Sequence, residues 1–387
     1  MREAVIVSAV RTPIARAGGA LKDLLPHIYG AEVVKEAIRR ANVDPQEIDD
    51  VIMGNVLSGG GNAARLTALQ AGLPLDIPGI TIDRQCGSGM NAVALAAQAV
   101  QAGSGDIFVA GGTESMTRAP YLMEPPSKAF DRMPPKFVNR LLSPEHIGNP
   151  PMGITAENLA EKYNISREEQ DEYALRSQQR MAHAMREGYF KEQIVPIQVP
   201  QRKGDPILFD TDEHPRPDTT LEALAKLPPA FKKGGTVTAG NSSGVNDGAS
   251  ALIVMERKLA EQRGLEIMAS VRSYAVAGVD PNIMGIGPVP AVKKLLKKEG
   301  LTLDDIDLIE LNEAFAVQVL ACDRELHLDW EKVNVNGGAI AHGHPIAATG
   351  AMLVTKLVYE MKRRDVKRGI VTACIGGGQG IAVLLER

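Results

Sequence analysis

V-V-K-E-A-I-R-R-A-N-V-D-P-Q-E-I-D-D-V-I-M-G-N (33–55) and A-V-K-K-L-L-K-K-E-G-L-T-L-D-D-I-D-L-I-E-L-N-E (291–313) are written to one pattern. Each ends a helix, turns, and runs into an apolar strand. Pairing Ile48 with Ile306 and Asp49 with Asp307 sets an offset of 258 residues, and that offset carries Cys86 onto His344. Further along, G-S-G-M-N-A-V-A (87–94) and A-T-G-A-M-L-V-T (348–355) both open helices from small residues, with a drift of a residue or two. F-V-A-G-G-T-E (108–114) likewise resembles V-T-A-C-I-G-G-G (371–378). Two similar halves, each presenting a reactive residue at a strand-to-helix point, predict a duplicated core with the active site between the halves. The competing reading is chance similarity, because α/β units are all built alike.

The rest of the chain supports an α/β fold. Strand-like runs at Ala4–Val10, Ile107–Gly111, Leu308–Leu311 and Gly369–Ala373 alternate with helical stretches at Val33–Arg40, Met90–Ala102, Ala291–Glu299 and Ala351–Lys362. Such alternation predicts covered, largely parallel sheets. Between the halves, from Arg118 to Thr238, the texture changes. E-P-P-S-K-A-F-D-R-M-P-P (124–135) and D-E-H-P-R-P-D-T-T (212–220) are dense in proline and charge and flank a helical pattern over Ser166–Glu187. Ser166 with Glu169 three residues on is a capping box. The division expected is a first half over 1–117 plus 239–265, an inserted lobe over 118–238, and a second half over 266–387.

Composition excludes several classes. At 387 residues the chain can bury a large core, or two fused cores. Lys and Arg number 43 against 47 Asp and Glu, so bulk charge offers nothing to nucleic acid. Three cysteines without a C-x-x-C argue against a disulfide framework and for a reducing compartment. The start reads as a strand and lacks the apolar run of a signal peptide, and no stretch reaches the length of a membrane span. A soluble cytoplasmic protein is the expectation. High glycine (38 residues) with few aromatics (4%) suits tight backbone turns around a site better than an aromatic cleft.

The chemistry gathers at three residues. Cys86, in D-R-Q-C-G-S-G-M-N, stands where a helix running to Ala102 begins. A helix N-terminus lowers a thiol's pKa and binds developing negative charge, so Cys86 is expected to be an activated nucleophile. A buried structural cysteine at a close-packed turn is the alternative. His344, in A-H-G-H-P-I-A-A-T-G, precedes a proline that sets the local turn, and its neutral imidazole is the natural base for Cys86. His342 is weaker, lacking both the proline and the repeat match. Cys374, in T-A-C-I-G-G-G-Q-G, ends a β-branched strand and suits proton transfer; no ligand set accompanies it for a metal. Cys322, in A-V-Q-V-L-A-C-D, reads as an ordinary buried residue. The N–H groups of Gly376 and Cys86 could form an oxyanion hole if the halves face each other. G-G-G-Q-G without a Walker lysine is a weak phosphate loop. Asn312 and Glu313, past a strand end, could orient a water or histidine or could be a plain helix cap. Ser243, in V-T-A-G-N-S-S-G-V-N-D-G-A-S, could bond an amide of a ligand or belong to a polar turn.

Taken together, these motifs resemble the thiolase family of acetyl-CoA acetyltransferases and 3-ketoacyl-CoA thiolases. The matches are D-R-Q-C-G-S-G around Cys86, N-E-A-F with Asn312, N-G-G-A-I-A-H-G-H-P with His344, T-A-C-I-G-G-G-Q-G with Cys374, T-A-G-N-S-S-G-V-N-D-G-A, and A-V-I-V-S-A-V-R-T-P-I-A-R near the start. They span essentially the whole chain, in order. The resemblance implies two β-α-β-α-β-α-β-β halves with a loop domain inserted in the first. It implies that Cys86 carries the acyl group as a thioester, that His344 activates it, and that Cys374 exchanges a proton with the second substrate. It implies one oxyanion hole from His344 with an Asn312-held water, and another from the N–H groups of Cys86 and Gly376. Met152, Arg216, Ala239 and Ser243 match positions near the pantetheine and nucleotide of coenzyme A, Phe315 one beside the acyl site, and Ala314 is a further substrate-binding position. Coenzyme A is then a substrate, with no permanent cofactor and no metal, and the assembly is a homodimer or homotetramer.

The chain departs from the family in places. Many members read G-H-P-x-G-x-S-G-A-R, where Ala347, Thr349 and Met352 stand here, and Pro151 occupies a place that short-chain biosynthetic members tend to give to histidine. Both differences favour thiolysis of longer or varied 3-ketoacyl-CoAs, as in fatty-acid β-oxidation. The rival activities are a ketoacyl-synthase-like condensing enzyme, which lacks the second cysteine in its C-x-G-G turn, and a non-catalytic acyl-CoA-binding subunit.

Overall fold

The computed structural model describes residues 2–58, 60–126, 128–130 and 133–387. The first half runs β1 (Ala4–Arg11), the two-residue β2 (Ala15–Arg16), α1 (Pro26–Ala41), β3 (Asp50–Gly54), α2 (Ala63–Gln70), β4 (Gly79–Ile82), α3 (Ser88–Ala102) and β5 (Ile107–Ser115). An insertion follows with β6 (Leu122–Met123), β7 (Phe137–Val138), α4 (Met152–Tyr163), α5 (Arg167–Arg186), β8 (Ile197–Val199), β9 (Ile207–Phe209) and α6 (Leu221–Ala225). β10 (Asn246–Glu256) and α7 (Arg257–Gln262) return to the first half. The second half holds β11 (Ala269–Gly278), α8 (Pro288–Glu299), β12 (Leu308–Leu311), α9 (Ala316–Leu326), α10 (Ala339–His342), α11 (Ile346–Arg364), β13 (Arg368–Ile375) and β14 (Gln379–Glu386).

The repeat is physical. Asp49 Oδ2 accepts the N–H groups of Asp106 and Ile107, and Asp307 Oδ2 those of Lys367 and Arg368. Each aspartate thereby ties the start of β3 or β12 to the strand beside it. α1 and α8 both stop at a left-handed residue, Asn42 (φ 50°) and Gly300 (φ 66°). Those two residues, like the two aspartates, are 258 apart. Across β5 and β13 the strand pairing moves the equivalence to Thr113 with Cys374, so the motif resemblance there is out of step by two residues.

Among the described residues the main sheet has ten strands, in the order β12-β13-β14-β11-β1-β10-β5-β3-β4 with β2 beside β10. The halves join where β1 pairs antiparallel with β11, Val5 opposite Ser270. The expectation of largely parallel sheets needs correction: β3–β4, β3–β5 and β12–β13 are parallel, while the β1, β5, β10, β11, β13 and β14 pairings along the middle of the sheet are antiparallel. Parallel neighbours need a crossover helix. β13 instead returns directly into β14 through Gly377 and Gly378, both at positive φ. The second half also lacks a full counterpart of β4. Its place holds one bridge, Ile309 to Val333, because the chain turns left-handed at Asn334 (φ 46°) and again at Gly337.

Packing decides where the site falls. Met90, Val93 and Ala97 of α3 and Leu353, Val354 and Leu357 of α11 share one core with Ala110 and Leu252 on one sheet face and Val371 and Val383 on the other. The two helices are therefore sandwiched between the sheets of the halves, with α1 and α2 outside one and α8 and α9 outside the other. They cross almost backbone to backbone. A Cβ on Gly350 would lie 2.4 Å from the Met90 nitrogen, and one on Gly89 2.8 Å from the Ala347 carbonyl. Only glycine permits that approach, and it brings the N-termini of the two helices together.

The insertion pairs with itself through β6–β7 and β8–β9, outside the main sheet. α5 opens at the expected capping box of Ser166 and Glu169. It is bound to the second half by the buried carboxylate of Glu313, which accepts from Tyr173 at 2.8 Å, Ser177 at 2.7 Å, Asn334 at 2.9 Å and the Ile340 N–H at 3.1 Å. Glu313 thus reads as a structural anchor of the inserted lobe.

Candidate active site

Cys86 lies in a single 3-10 turn, Gln85–Gly87, between β4 and α3, with α3 proper starting at Ser88. The side chain is half-buried. Its segment seats against the strand that carries the second thiol, since a Cβ on Gly87 would stand 2.8 Å from Ile375 Cδ1. The backbone N–H groups of Gly376 and of Cys86 itself favour the charged form of the Cys86 sulfur. The expectation of a depressed thiol pKa is corrected here. Burial pushes the Cys86 thiol up to about 11, and the Asp83 and Glu114 carboxylates add to the rise against the two N–H donors. Loss of hydration thus works against the helix terminus at this sulfur.

His344 is buried at the head of α11, and its orientation is set from both halves. Its backbone N–H donates to Asn246 Oδ1 of β10 at 2.9 Å. Its Nδ1 is 2.7 Å from Thr349 Oγ1, and that hydroxyl donates its own proton to the Pro345 carbonyl at 2.8 Å. A hydroxyl has one proton, so Thr349 accepts from Nδ1–H, and Nε2 is left as the basic nitrogen. Asn312 Nδ2 lies 3.4 Å from that Nε2, while Asn312 Oδ1 is buried without a protein partner. Burial lowers the His344 pKa to about 4. His342 takes a different direction: its Nδ1 bonds the Gly343 carbonyl, and its Nε2 is buried without a partner.

Cys374, fully buried, sits near the end of β13 opposite Gly380. Burial first, then the nearness of Cys86 and Cys322, raises its thiol well above the ordinary value. Cys322 is buried in α9, as expected, and donates to the Gly285 carbonyl. Among the described residues no cluster of three His, Cys, Asp or Glu could hold a metal ion.

The six residues matched to coenzyme A and acyl positions fall into two groups. Arg216 and Ala239 line a cavity of about 410 Å³ together with Gln178, His214, Leu224 and Leu227. Gln178 Oε1 accepts the Arg216 N–H, which ties this cavity to α5. Ala314 and Phe315 share a hydrophobic core with Cys322 and Cys374, and Met152 packs against it. The Ser243 N–H donates to the Ala314 carbonyl at 2.9 Å, and Ser242 bridges to Phe315. A Cβ on Gly376 would meet Met152 Sδ at 3.6 Å and Leu142 Cδ1 at 3.2 Å. Phe315 meets Phe231 edge to face, and Phe231 in turn covers Gly153, where a Cβ would collide with the ring.

Three residues escaped the sequence reading. Thr349 appeared there only as a departure from a motif, and its one-proton geometry needs the helix turn to be seen. Leu142 and Phe231 lie in stretches of the lobe outside its helical pattern, so nothing in the sequence aims them at Gly376 or Gly153.

The crossing of α3 and α11 at Gly89 and Gly350, and the contact of Gly87 with Ile375, bring together the segments that carry Cys86, His344 and Cys374. The models for the thiolase N-terminal and C-terminal domains match residues 4–258 and 265–387. The chain belongs to the thiolase family. This thiolase is 49% identical to the acetyl-CoA acetyltransferase of Pseudomonas aeruginosa and 50% identical to that of Escherichia coli K12, with all of both chains covered in each case. Its structure superposes on the Bacillus anthracis acetyl-CoA acetyltransferase with a TM-score of 0.96 at 47% identity, covering 100% of this chain and 99% of that one. On human mitochondrial 3-ketoacyl-CoA thiolase the TM-score is 0.94 at 46% identity, covering 100% and 98%.

Proposed function

We propose that this thiolase cleaves a 3-ketoacyl-CoA with coenzyme A to acetyl-CoA and an acyl-CoA shorter by two carbons, and runs the reverse Claisen condensation, through a thioester on Cys86. The observation that carries the reading is that the Cys86 turn at the head of α3 seats against Ile375 of the strand bearing Cys374, with the Gly376 and Cys86 N–H groups favouring negative charge on the Cys86 sulfur. Donors in that position also reach the carbonyl oxygen of an acyl group bound to the sulfur.

In thiolysis the Cys86 sulfur attacks the 3-keto carbon while His344 Nε2 takes the thiol proton. The bond between C2 and C3 breaks, its electron pair stays on C2, and Cys374 supplies the proton that makes acetyl-CoA. Coenzyme A then attacks the acyl-Cys86 carbonyl, a base takes its proton, and the sulfur of Cys86 leaves. Burial raises the Cys86 thiol to about 11 and lowers the His344 imidazole to about 4, which favours the neutral forms of both before attack. Transfer of the thiol proton to Nε2 as the sulfur attacks suits that starting state. Asn312, beside Nε2, is suited to hold a water against the second carbonyl oxygen.

Met152, Arg216, Ala239 and Ser243 are proposed to hold coenzyme A, which is a substrate and is not retained, Phe315 to border the acyl group, and Ala314 to contact substrate beside it. Ala347, Thr349 and Pro151 favour degradative use on longer or varied chains. The rival condensing-enzyme reading is disfavoured by Cys374 in its C-x-G-G turn. We assign the chain to the cytoplasm, as a homodimer or homotetramer, with the domain division at 1–117 plus 239–265, 118–238 and 266–387. Among the described residues no helix is long and apolar enough to cross a membrane.

Acetoacetyl-CoA and longer 3-ketoacyl-CoAs, each mixed with coenzyme A, test the proposal through the fall in 3-keto absorbance. Turnover that disappears in Cys86→Ala supports it. No loss of absorbance at any chain length would leave a non-catalytic acyl-CoA binder.

A further inference from the structure

Gln85, immediately before the candidate nucleophile, has φ +45°, a left-handed conformation that side-chain-bearing residues other than Asn and Asp rarely adopt. Its neighbours hold it there. Asp83 Oδ1 accepts the Gln85 backbone N–H at 2.9 Å and its Nε2 amide at 3.0 Å. On the other side Ser88 Oγ donates to the Gln85 carbonyl at 2.7 Å and accepts the Arg84 N–H at 2.8 Å. The turn has no slack, because Gly87 already lies flush against Ile375.

We propose that Asp83 is a positioning residue, whose carboxylate clamps Gln85 in the left-handed conformation that presents Cys86 to the acyl group and to the Gly376 N–H. The inference rests on Cys86 being the acyl carrier. Turning Gln85 to negative φ would rotate the following peptide, and with it the Cys86 N–H and sulfur, away from Gly376. Electrostatic activation is not what Asp83 supplies, since a negative charge near Cys86 opposes a thiolate. Its two hydrogen bonds account for its place.

The test is the rate at which acetyl-CoA acetylates Cys86, followed by quenched intact-mass and peptide mapping, together with kcat and KM for thiolysis. Asp83→Ala is expected to slow acetylation by roughly tenfold, with KM little changed, since the group lost acts on the reacting atom and not on coenzyme A. Asp83→Asn keeps an acceptor oxygen and is expected to stay near the wild-type rate. Asp83→Ala combined with Gln85→Gly is expected to recover most of the loss, because glycine takes positive φ without a clamp. Wild-type acetylation rates in Asp83→Ala, or a double variant as slow as the single one, would overturn the clamp. If Asp83→Ala does not fold, the Asn variant decides, and slow acetylation there overturns the clamp too. Absence of any acetyl adduct on Cys86 in the wild type would instead defeat the thioester reading on which it rests.

Discussion

The hydroxyl of Thr349 sits 2.7 Å from Nδ1 of His344 and has no proton to give it, because that proton goes to the Pro345 carbonyl. One threonine on the first turn of α11 therefore selects the imidazole tautomer. Thr349→Val keeps the shape but leaves Nδ1–H without an acceptor in a buried site. It is expected to lower kcat for thiolysis by roughly 10²-fold, while Thr349→Ser stays within a few-fold of wild type because serine can make both bonds. Steady-state kinetics of the two variants check this, and equal losses in both would remove the tautomer role.

Cys86 and Cys374 are expected to fail differently. Cys374→Ala should still form an acetyl-Cys86 adduct from acetyl-CoA, visible by mass spectrometry, yet neither cleave nor make a carbon–carbon bond. Cys86→Ala should lose both. A Cys374→Ala variant with normal turnover would refute the division of labour.

The pH dependence follows from burial. With the Cys86 thiol at about 11, its alkylation by iodoacetamide in the free enzyme should keep rising with pH beyond 10, where an activated thiol would level off below 8. Stability should run the other way at low pH. His344 and His214 both have folded pKa values of about 4, below the 6.5 of the free side chain, and His342 is lowered further. Between pH 6.5 and 4 the unfolded chain takes up protons that the folded one refuses, so stability is full above 6.5 and falls as pH drops. The slope approaches about 1.4 kcal/mol per pH unit for each such histidine. Urea unfolding midpoints across that range measure it, and His214→Gln should flatten the curve.

Leu142 and Met152 cover Gly376 from the inserted lobe. If they border the acyl group, Leu142→Ala should raise the kcat/KM ratio of a medium-chain 3-ketoacyl-CoA over acetoacetyl-CoA by about tenfold. Leu142→Trp should lower it. An unchanged ratio in both variants would place the chain-length wall elsewhere.

Much of the core was legible because local chemistry repeats. The helix-turn-strand signature of 33–55 and 291–313 marked two equivalent halves, and the same offset placed Cys86 and His344 at matching points. The capping box at Ser166 and the buried character of Cys322 were also readable, since each depends on neighbours within one helix. What failed depended on neighbours remote in sequence. The thiol pKa of Cys86 was expected low from the helix terminus, and the surrounding protein raised it. The antiparallel joins of β1 to β11 and of β10 to its neighbours could not be read from strand patterns, which look alike in either direction.

By itself, then, the order of residues determined a duplicated α/β chain, two reactive cysteines and one histidine in glycine-rich turns, and an inserted lobe of different texture. Those are consequences of periodicity, turn residues and capping, which act over a few positions. Only the tertiary structure decided that α3 and α11 cross at Gly89 and Gly350, that the Cys86 turn seats against Ile375, and that Leu142 and Phe231 arrive from the lobe. The physical reason is that desolvation and close backbone approach depend on what packs alongside, and packing joins residues hundreds of positions apart.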